Sequence, residues 1–529
     1  MTASNSAQTA ALIMFSVLAT LAMLLCILTG SEPDDLADFY TGYRTLTPLR
    51  NGLAVAGDYV SAATVLSTSG VIALSGYDGV VLVLSTVLSL LLLMRLLAEP
   101  LRTAGRFTMG DVLARRMPGR AVRGAACAVT LAASLPFLLV QLSVAGSLLT
   151  FILGISVDGA KAACICVVGA LMIGYAAMGG MKGTALVQII KMVMLFGASL
   201  AVTLLVLSRF HWNPAELLSA ARQGSGAGEA YLRQGLEFGS GARGRLDFFS
   251  VQISVVLGAA CLPHVTMRMN GGTSSSALRR SMSWAVGSTV VIAMFVTVMG
   301  TAAAALVGHQ MITANDPQGG TSLLLLSSAL GMDYPSIGEA VLFAAIGGAI
   351  FMTLLASVAG LTLAAATSVA HDLYAGVLRR ERATERDELT VARWTILGIG
   401  LVAIVLAALV RDWNLQVLIA TAFCVGASAV APALVYSLFW SGYTRTGLLC
   451  TLVGGTVCVL ALMTFSRAVS GGPDALFPHQ DFHWFPLRTT GIVSVPVGFL
   501  SGWLGSRFGS RVGWRSVVGA LRAAVASSG

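Results

Sequence analysis

Charge is scarce in this 529-residue chain, at 11% of residues against 56% hydrophobic. A water-soluble protein of this length needs far more charge to cover its surface. A bilayer removes that need, because outward side chains meet lipid instead of water. No stretch is long and polar enough to form a separate soluble domain. Metal and disulfide patterns are missing as well. The eight cysteines (Cys26, Cys127, Cys164, Cys166, Cys261, Cys424, Cys450 and Cys458) all fall in apolar stretches, and Cys164-Ile165-Cys166 has no second pair to complete a zinc site. They read as small buried apolar residues. Neither a disulfide framework nor a cofactor is expected. No HExxH, GxSxG or P-loop pattern occurs, and no His–acid cluster lies inside an apolar stretch, so an enzyme is not expected. The first ten residues carry no Lys or Arg, unlike a secretory signal, so the apolar run after them reads as a retained helix.

What is present is a series of long apolar runs. A helix needs ~20 apolar residues to cross ~30 Å of hydrocarbon. Thirteen segments meet that need: 9–29, 50–75, 79–98, 121–153, 160–179, 184–207, 247–270, 281–307, 338–370, 391–410, 415–440, 446–465 and 489–506. The expectation is therefore an all-α polytopic membrane protein with about thirteen transmembrane helices. Segments 121–153 and 338–370 exceed the length of a perpendicular helix, so they tilt or continue into water. The outer segments 208–246, 308–337 and 466–488 are rich in Gly, Ser, Asp and Pro and read as loops with short helices.

The net charge of +9 follows topology rather than nucleic-acid binding, because the arginines sit in short loops between apolar runs. With the N-terminus outside, 23 of the 33 Lys and Arg residues fall on the cytoplasmic side and nine on the outer side. This asymmetry selects N-outside and C-inside at the cell membrane. The tail 507–529 is basic and reads as cytoplasmic.

Two spans carry glycine-rich polar interruptions, Asn51–Thr64 in the second and Leu257–His264 in the seventh. Unpaired backbone groups at membrane depth are costly unless protein, water or a ligand satisfies them, so a broken helix implies a lined cavity. Breaks at matching places in two halves point to a transporter's binding site. Spans two to six (50–207) and seven to eleven (247–440) would form two repeats. Span two enters from the cytoplasm and span seven from outside, so the repeats are inverted. Segment 1–49 precedes them, 208–246 links them, and 441–506 holds the last two spans.

Asp58 is the most informative residue, since a carboxylate inside a bilayer costs ~2.5–3.5 kcal/mol or more at a helix centre. It reads either as an ion- or substrate-linked acid or as the cap of the outer half-helix. Thr353 and Ser357 offer oxygens suited to Na⁺, though such hydroxyls usually bond back to a carbonyl one turn earlier. Lys191 either snorkels to the cytoplasmic surface or pairs with a buried acid. Gln141 and Tyr175 read as cavity liners or helix–helix contacts. His264 and His371 read as structural groups at cytoplasmic helix ends.

At these residues the chain resembles the solute:sodium symporter family, in particular its cation/acetate and monocarboxylate symporters. The likeness is carried by Phe39–Arg44 running into Asn51–Ala63, by Ser75-Gly76-Tyr77-Asp78-Gly79, by Ala98–Arg102 through Gly105–Val112, and by Gly179–Thr184 through Val187–Lys191. Leu262-Pro263-His264 with Arg268, Val358–Leu363 and His371–Tyr374 extend it. The resemblance implies a leucine-transporter-type fold with a five-plus-five inverted repeat and alternating access. It places a cation on the carbonyls of Gly57 and Val60, with Thr353, Ala356 and Ser357 opposite. Sodium-coupled members carry two adjacent hydroxyls where this chain has Ala356 beside Ser357, which leaves H⁺ coupling through Asp58 open. The resemblance sets the substrate between spans two, four, seven and eleven, with Asp58, Gln141, Ser254 and Phe423 lining its site.

The expected activity is import of acetate, propionate or pyruvate with Na⁺ or H⁺, with no nucleic acid and no obligatory protein partner. A sugar, amino-acid or urea symporter of the same fold is the nearest alternative, because fold does not fix substrate. A transporter-like nutrient sensor would append a signalling domain, and the roughly 23 residues after 506 are too few for one.

Overall fold

The computed structural model describes residues 5–29, 36–41, 46–104, 107–155, 157, 159–271, 274–331, 337–379, 382–411, 413–472 and 475–509. The basic tail 507–529 lies almost wholly outside the described residues. The described chain is all helical apart from two isolated bridges, Ser466 with Phe485 and Ser470 with Phe477. Helices are what lipid demands, because each satisfies its own backbone hydrogen bonds. Apolar side chains such as Ile27, Leu28, Leu401, Leu409 and Val457 stay exposed along their outer faces, as contact with lipid requires.

Ten helices among the described residues are long and apolar enough to cross a membrane. The sequence expectation of about thirteen departs from this at three places. Span two is two short helices, Pro48–Tyr59 and Ala62–Ser75. Spans five and six form one run, Ala160–Arg209, bent at Gly180 (φ 51°, ψ −163°). The last helix, Gly491–Phe508, has 18 residues and contains Pro496, and it is not among the ten. Span nine runs as Ile337–Thr367 and continues as a π-helix, Ser368–Leu378, so it extends beyond the sequence estimate. Loop 208–246 contains the helix Pro214–Gly224, and loop 308–337 contains His309–Asn315 and Ser322–Gly331. Loop 466–488 carries the bridges instead of a helix.

Span nine and the helix run from Leu415 to Phe439 are the most buried. Span nine packs against the first helix, the 120–153 helix and the 160–209 run. The half-helix Pro48–Tyr59 lies against the 160–209 run, the 275–306 helix and span nine. That arrangement places the first break between several helices and away from lipid.

The charge-rich face is tied together by a buried polar network. The His371 ring bridges Glu388 (2.7 Å) and Asp111 (2.9 Å). Arg123 reaches Asp111 (3.0 Å) and Asp372 (3.3 Å). Thr108 and Ser368 each donate to Asp372 at 2.9 Å. Burial alone would raise the Asp111 carboxyl, but the hydrogen bond from His371 and the charges of His371 and Arg123 outweigh it and hold it at about 2.

Candidate functional site

Both interruptions read from the sequence are breaks in the structure. In span two the chain leaves the helix at Val60 (φ −84°, ψ 96°) and Ser61 (φ −91°, ψ 159°). Ser61 caps the next helix through a reciprocal capping box with Thr64. The cap is thus Ser61 and not Asp58, because the serine oxygen already accepts the Thr64 N–H. In span seven the helix Ala242–Gly258 tightens into a turn at Ala259–Cys261, becomes extended at Leu262 (φ −60°, ψ 139°), and resumes as Pro263–Met267. Span three supports both breaks. Its Thr86 carbonyl accepts the Tyr59 hydroxyl (2.5 Å), and its Ser89 hydroxyl accepts the Ala260 N–H (3.0 Å). Span three thereby anchors the first break through a side chain and partners a backbone N–H freed at the second.

Asp58 sits at the centre of a buried charged cluster on the helix before the first break. Arg268 donates from Nε to Asp58 Oδ2, forming an ion pair. Gln188 donates from Nε2 to Asp58 Oδ1 at 2.5 Å and to the Ala356 carbonyl at 3.0 Å. Arg268 also reaches Thr184 Oγ1 (3.3 Å) and the Met181 carbonyl (3.4 Å). Lys191 donates to the Gly57 carbonyl at 2.5 Å. Asp58, Arg268 and Lys191 are 3%, 5% and 0% exposed, so none is solvated by bulk water. Lys191 therefore does not snorkel, as one sequence reading had it. Its hydrogen bond goes to a backbone oxygen, while its charge acts with the buried acid Asp58, as the other reading had it. Gly57 permits the approach, since a Cβ there would lie 2.8 Å from the Gln188 side chain.

The expected cation ligands Gly57 and Ala356 are drawn together by this cluster, with Gln188 joining Asp58 to Ala356. Val60 lies at the break itself and is buried. Thr353 donates its hydroxyl to Ala349 (2.6 Å), the back-bonding that its position in a helix favours. Its oxygen keeps lone pairs for a cation. Ser357 Oγ is buried with no hydrogen-bond partner among the described residues. These are hard oxygen donors of the kind Na⁺ takes, and the cation would be transported cargo.

A cavity of about 1310 Å³ opens between loops 225–244, 309–318 and 467–489, on the face that loop charge assigns to the outside. Thr64, Ser67 and Thr68 of the helix after the first break line it, with Thr86, Ser254 and Phe423. Of the expected substrate residues, Ser254 and Phe423 line the cavity; Asp58 and Gln141 do not. Ser254 donates to the Ser250 carbonyl at 2.8 Å. Phe423 meets Phe137 with ring centroids 5.8 Å apart, and Phe137 stacks on His264 at 6.1 Å. Gln141 lies one turn beyond Phe137, and both polar atoms of its side chain are buried without partners among the described residues. His264 Nδ1 is likewise buried and unpartnered.

Sequence reasoning gave no site role to Gln188, Arg268 or Phe137, and gave His264 only a structural one. A signal did exist for the first. Gln188 and Lys191 are three residues apart, so they share one face of an otherwise apolar helix. Polar groups on one face of a buried helix need a partner there.

A model of the Sodium:solute symporter family matches residues 39–455. The chain is 37% identical over 505 residues to a monocarboxylic acid transporter of Corynebacterium glutamicum, covering 94% of this chain and 90% of that one. It is 34% identical to the uncharacterized symporter YwcA of Bacillus subtilis, covering 94% of each. Among solved structures, a Na⁺-coupled sialic acid symporter in a substrate-bound, outward-open state superposes with a TM-score of 0.69 at 15% identity, covering 94% of this chain and 97% of that one. Mhp1, a nucleobase-cation-symport-1 family transporter, superposes with a TM-score of 0.52 at 13% identity, covering 88% and 92%. At such identities the structures speak for the fold alone, which is of the leucine-transporter type. With a family match over most of its length and a relative above one-third identity along nearly all of it, the chain belongs to the sodium:solute symporter family.

Proposed function

We propose that this chain imports a short monocarboxylate, of the size of acetate, propionate or pyruvate, together with Na⁺ or H⁺ by alternating access. The observation that carries this reading is the joining of two interrupted helices by the buried Asp58–Arg268 pair, with Thr64 after the first break lining a cavity open on one face. The 37% identical relative is named for monocarboxylic acids, which favours that substrate class.

In this reading the substrate enters from the outer face, with the N-terminus outside and the C-terminus in the cytoplasm. Its carboxylate is taken at the first turn of the Ala62–Ser75 helix, where free N–H groups and the helix dipole favour an anion. Thr64 on that turn already lines the cavity. Ser254 and Phe423 bound the substrate, and Gln141 and His264 offer unpartnered polar atoms to its occluded form. Asp58 acts through Arg268 rather than on the substrate, since two carboxylates repel. The cation is held by Gly57, Val60, Thr353, Ala356 and Ser357. The repeats 50–207 and 247–440 move against each other about these sites.

One cation per anion moves no net charge. Voltage then assists only when more than one cation accompanies each anion, at ~2.3 kcal/mol per charge per 100 mV. The test is uptake of labelled acetate, propionate and pyruvate into vesicles under imposed Na⁺, pH and voltage gradients, with sugars, amino acids and urea as competitors. Competition by short monocarboxylates alone, with uptake driven by a cation gradient, is the expected result. Uptake indifferent to Na⁺, pH and voltage alike overturns the symport reading.

A further inference from the structure

The Gly57 carbonyl is claimed twice, once by the cation site of the proposed function and once by Lys191 in the structure. Lys191 is fully buried, and its one hydrogen bond among the described residues goes to that oxygen at 2.5 Å. One turn earlier, Gln188 holds the Ala356 carbonyl at 3.0 Å. A single face of the 160–209 run thus fills two of the five oxygen positions assigned to the cation. The hydroxyls of span nine are placed differently. Ser357 Oγ has no partner among the described residues, and Thr353 uses only its proton, on Ala349. One half of the site keeps open lone pairs, and the other half is stoppered by an ammonium and an amide.

We propose that Lys191 is a tethered competitor of the coupling cation, so that Na⁺ gains the Gly57 carbonyl only by displacing the ammonium from it. The inference rests on the cation site assigned above and adds its regulation. Charge supports exclusion. The cluster already holds two cationic side chains, Arg268 and Lys191, against the one carboxylate of Asp58. A third positive charge beside Gly57, out of water, would face two like charges with one anion between them. Chain geometry supports displacement, because a lysine carries its charge on a flexible four-carbon stem that can withdraw while the backbone oxygen stays. Arg268 lacks that freedom here, held by Asp58, Thr184 and Met181. Cation entry would then be coupled to a shift of Lys191, whose helix follows the bend at Gly180.

The test is thermal unfolding of the purified full-length chain in detergent, titrated with NaCl against choline chloride at constant ionic strength. Lys191→Met keeps the apolar stem and removes the charge, and Lys191→Gln replaces it should the first variant not purify as a monodisperse protein. The Na⁺ concentration that gives half-maximal stabilisation should fall about tenfold in the variant, as expected when a competitor for a binding site is removed. An unchanged half-maximal concentration, or no Na⁺ stabilisation in either protein, overturns the proposal. Ser357→Ala in the Lys191→Met background separates the two readings. Should it abolish Na⁺ stabilisation while the wild-type and Lys191→Met midpoints coincide, the site stands and the competition fails. Should it leave Na⁺ stabilisation intact, the site itself is misplaced and the competition falls with it.

Discussion

Arg268, six residues beyond the break in span seven, pairs with Asp58, two residues before the break in span two. The pair joins the two interrupted helices in the protein interior, where neither charge meets bulk water. Removing one partner of a buried pair leaves the other charge uncompensated, which costs ~3–5 kcal/mol. Asp58→Asn should therefore lower the unfolding temperature and abolish uptake, since Arg268 and Lys191 would then face no carboxylate. Asp58→Asn combined with Arg268→Gln should recover most of the stability without recovering transport. Thermal unfolding and vesicle uptake on the same preparations check both halves. A double variant as unstable as the single one would show that the pair is not the source of the cost.

Phe423 lines the cavity and leans on Phe137, which in turn stacks on His264. An aromatic pair of this kind is worth ~0.5–1.5 kcal/mol beyond its buried area. Phe423→Ala should raise the KM for the monocarboxylate roughly two- to tenfold if the ring shapes the bound substrate, with the maximal rate held within about twofold. Concentration-dependent uptake, normalised to protein in the vesicles, measures this. An unchanged KM with a lowered maximal rate would move Phe423 from substrate contact to conformational change.

Gly180 carries the bend between the fifth and sixth expected spans at φ 51° and ψ −163°, a region essentially confined to glycine. Gly180→Ala should destabilise the protein by about 1–3 kcal/mol, the usual cost of holding a side chain in such a conformation. A variant with the wild-type unfolding temperature would mean that the backbone relaxes there at no cost.

Much of the architecture was legible because lipid imposes strict rules. Apolar run length locates the helices, and glycines among polar residues locate both breaks, at Val60–Ser61 and at Leu262. The bend at Gly180 was read as a loop between two helices, because Gly179-Gly180 ends one apolar run and Lys182 follows it. The chain turns there without leaving helical hydrogen bonding on either side. The site was less legible. Asp58 stood out as a lone acid, but its partners lie 130 and 210 residues away at Gln188 and Arg268. Spacing along one helix cannot report such pairs. The sequence does not choose between the two readings of Lys191 for a related reason: its hydrogen bond goes to a backbone carbonyl, which every residue carries, and the acid its charge acts on, Asp58, lies far along the chain.

Asp111 gives a pH prediction with a definite sign. His371 and Arg123 hold its carboxyl at about 2, below the 3.8 of a free aspartate. A depressed folded value stabilises the folded state above 3.8, and that stabilisation is lost as pH falls from about 3.8 to about 2. The difference amounts to about 2 kcal/mol. Asp111→Asn removes the charge but keeps an acceptor, so it should be less stable than the wild type by about this amount at pH 7 and at pH 5. The gap should narrow by pH 3 and be nearly closed at pH 2, where about half of the wild-type carboxyl is itself protonated. Unfolding temperatures of both proteins across this range test it. A gap that stays constant down to pH 2 would show that the asparagine is destabilising for reasons of packing, and that the charge network linking Asp111 to His371 and Arg123 contributes nothing to the fold.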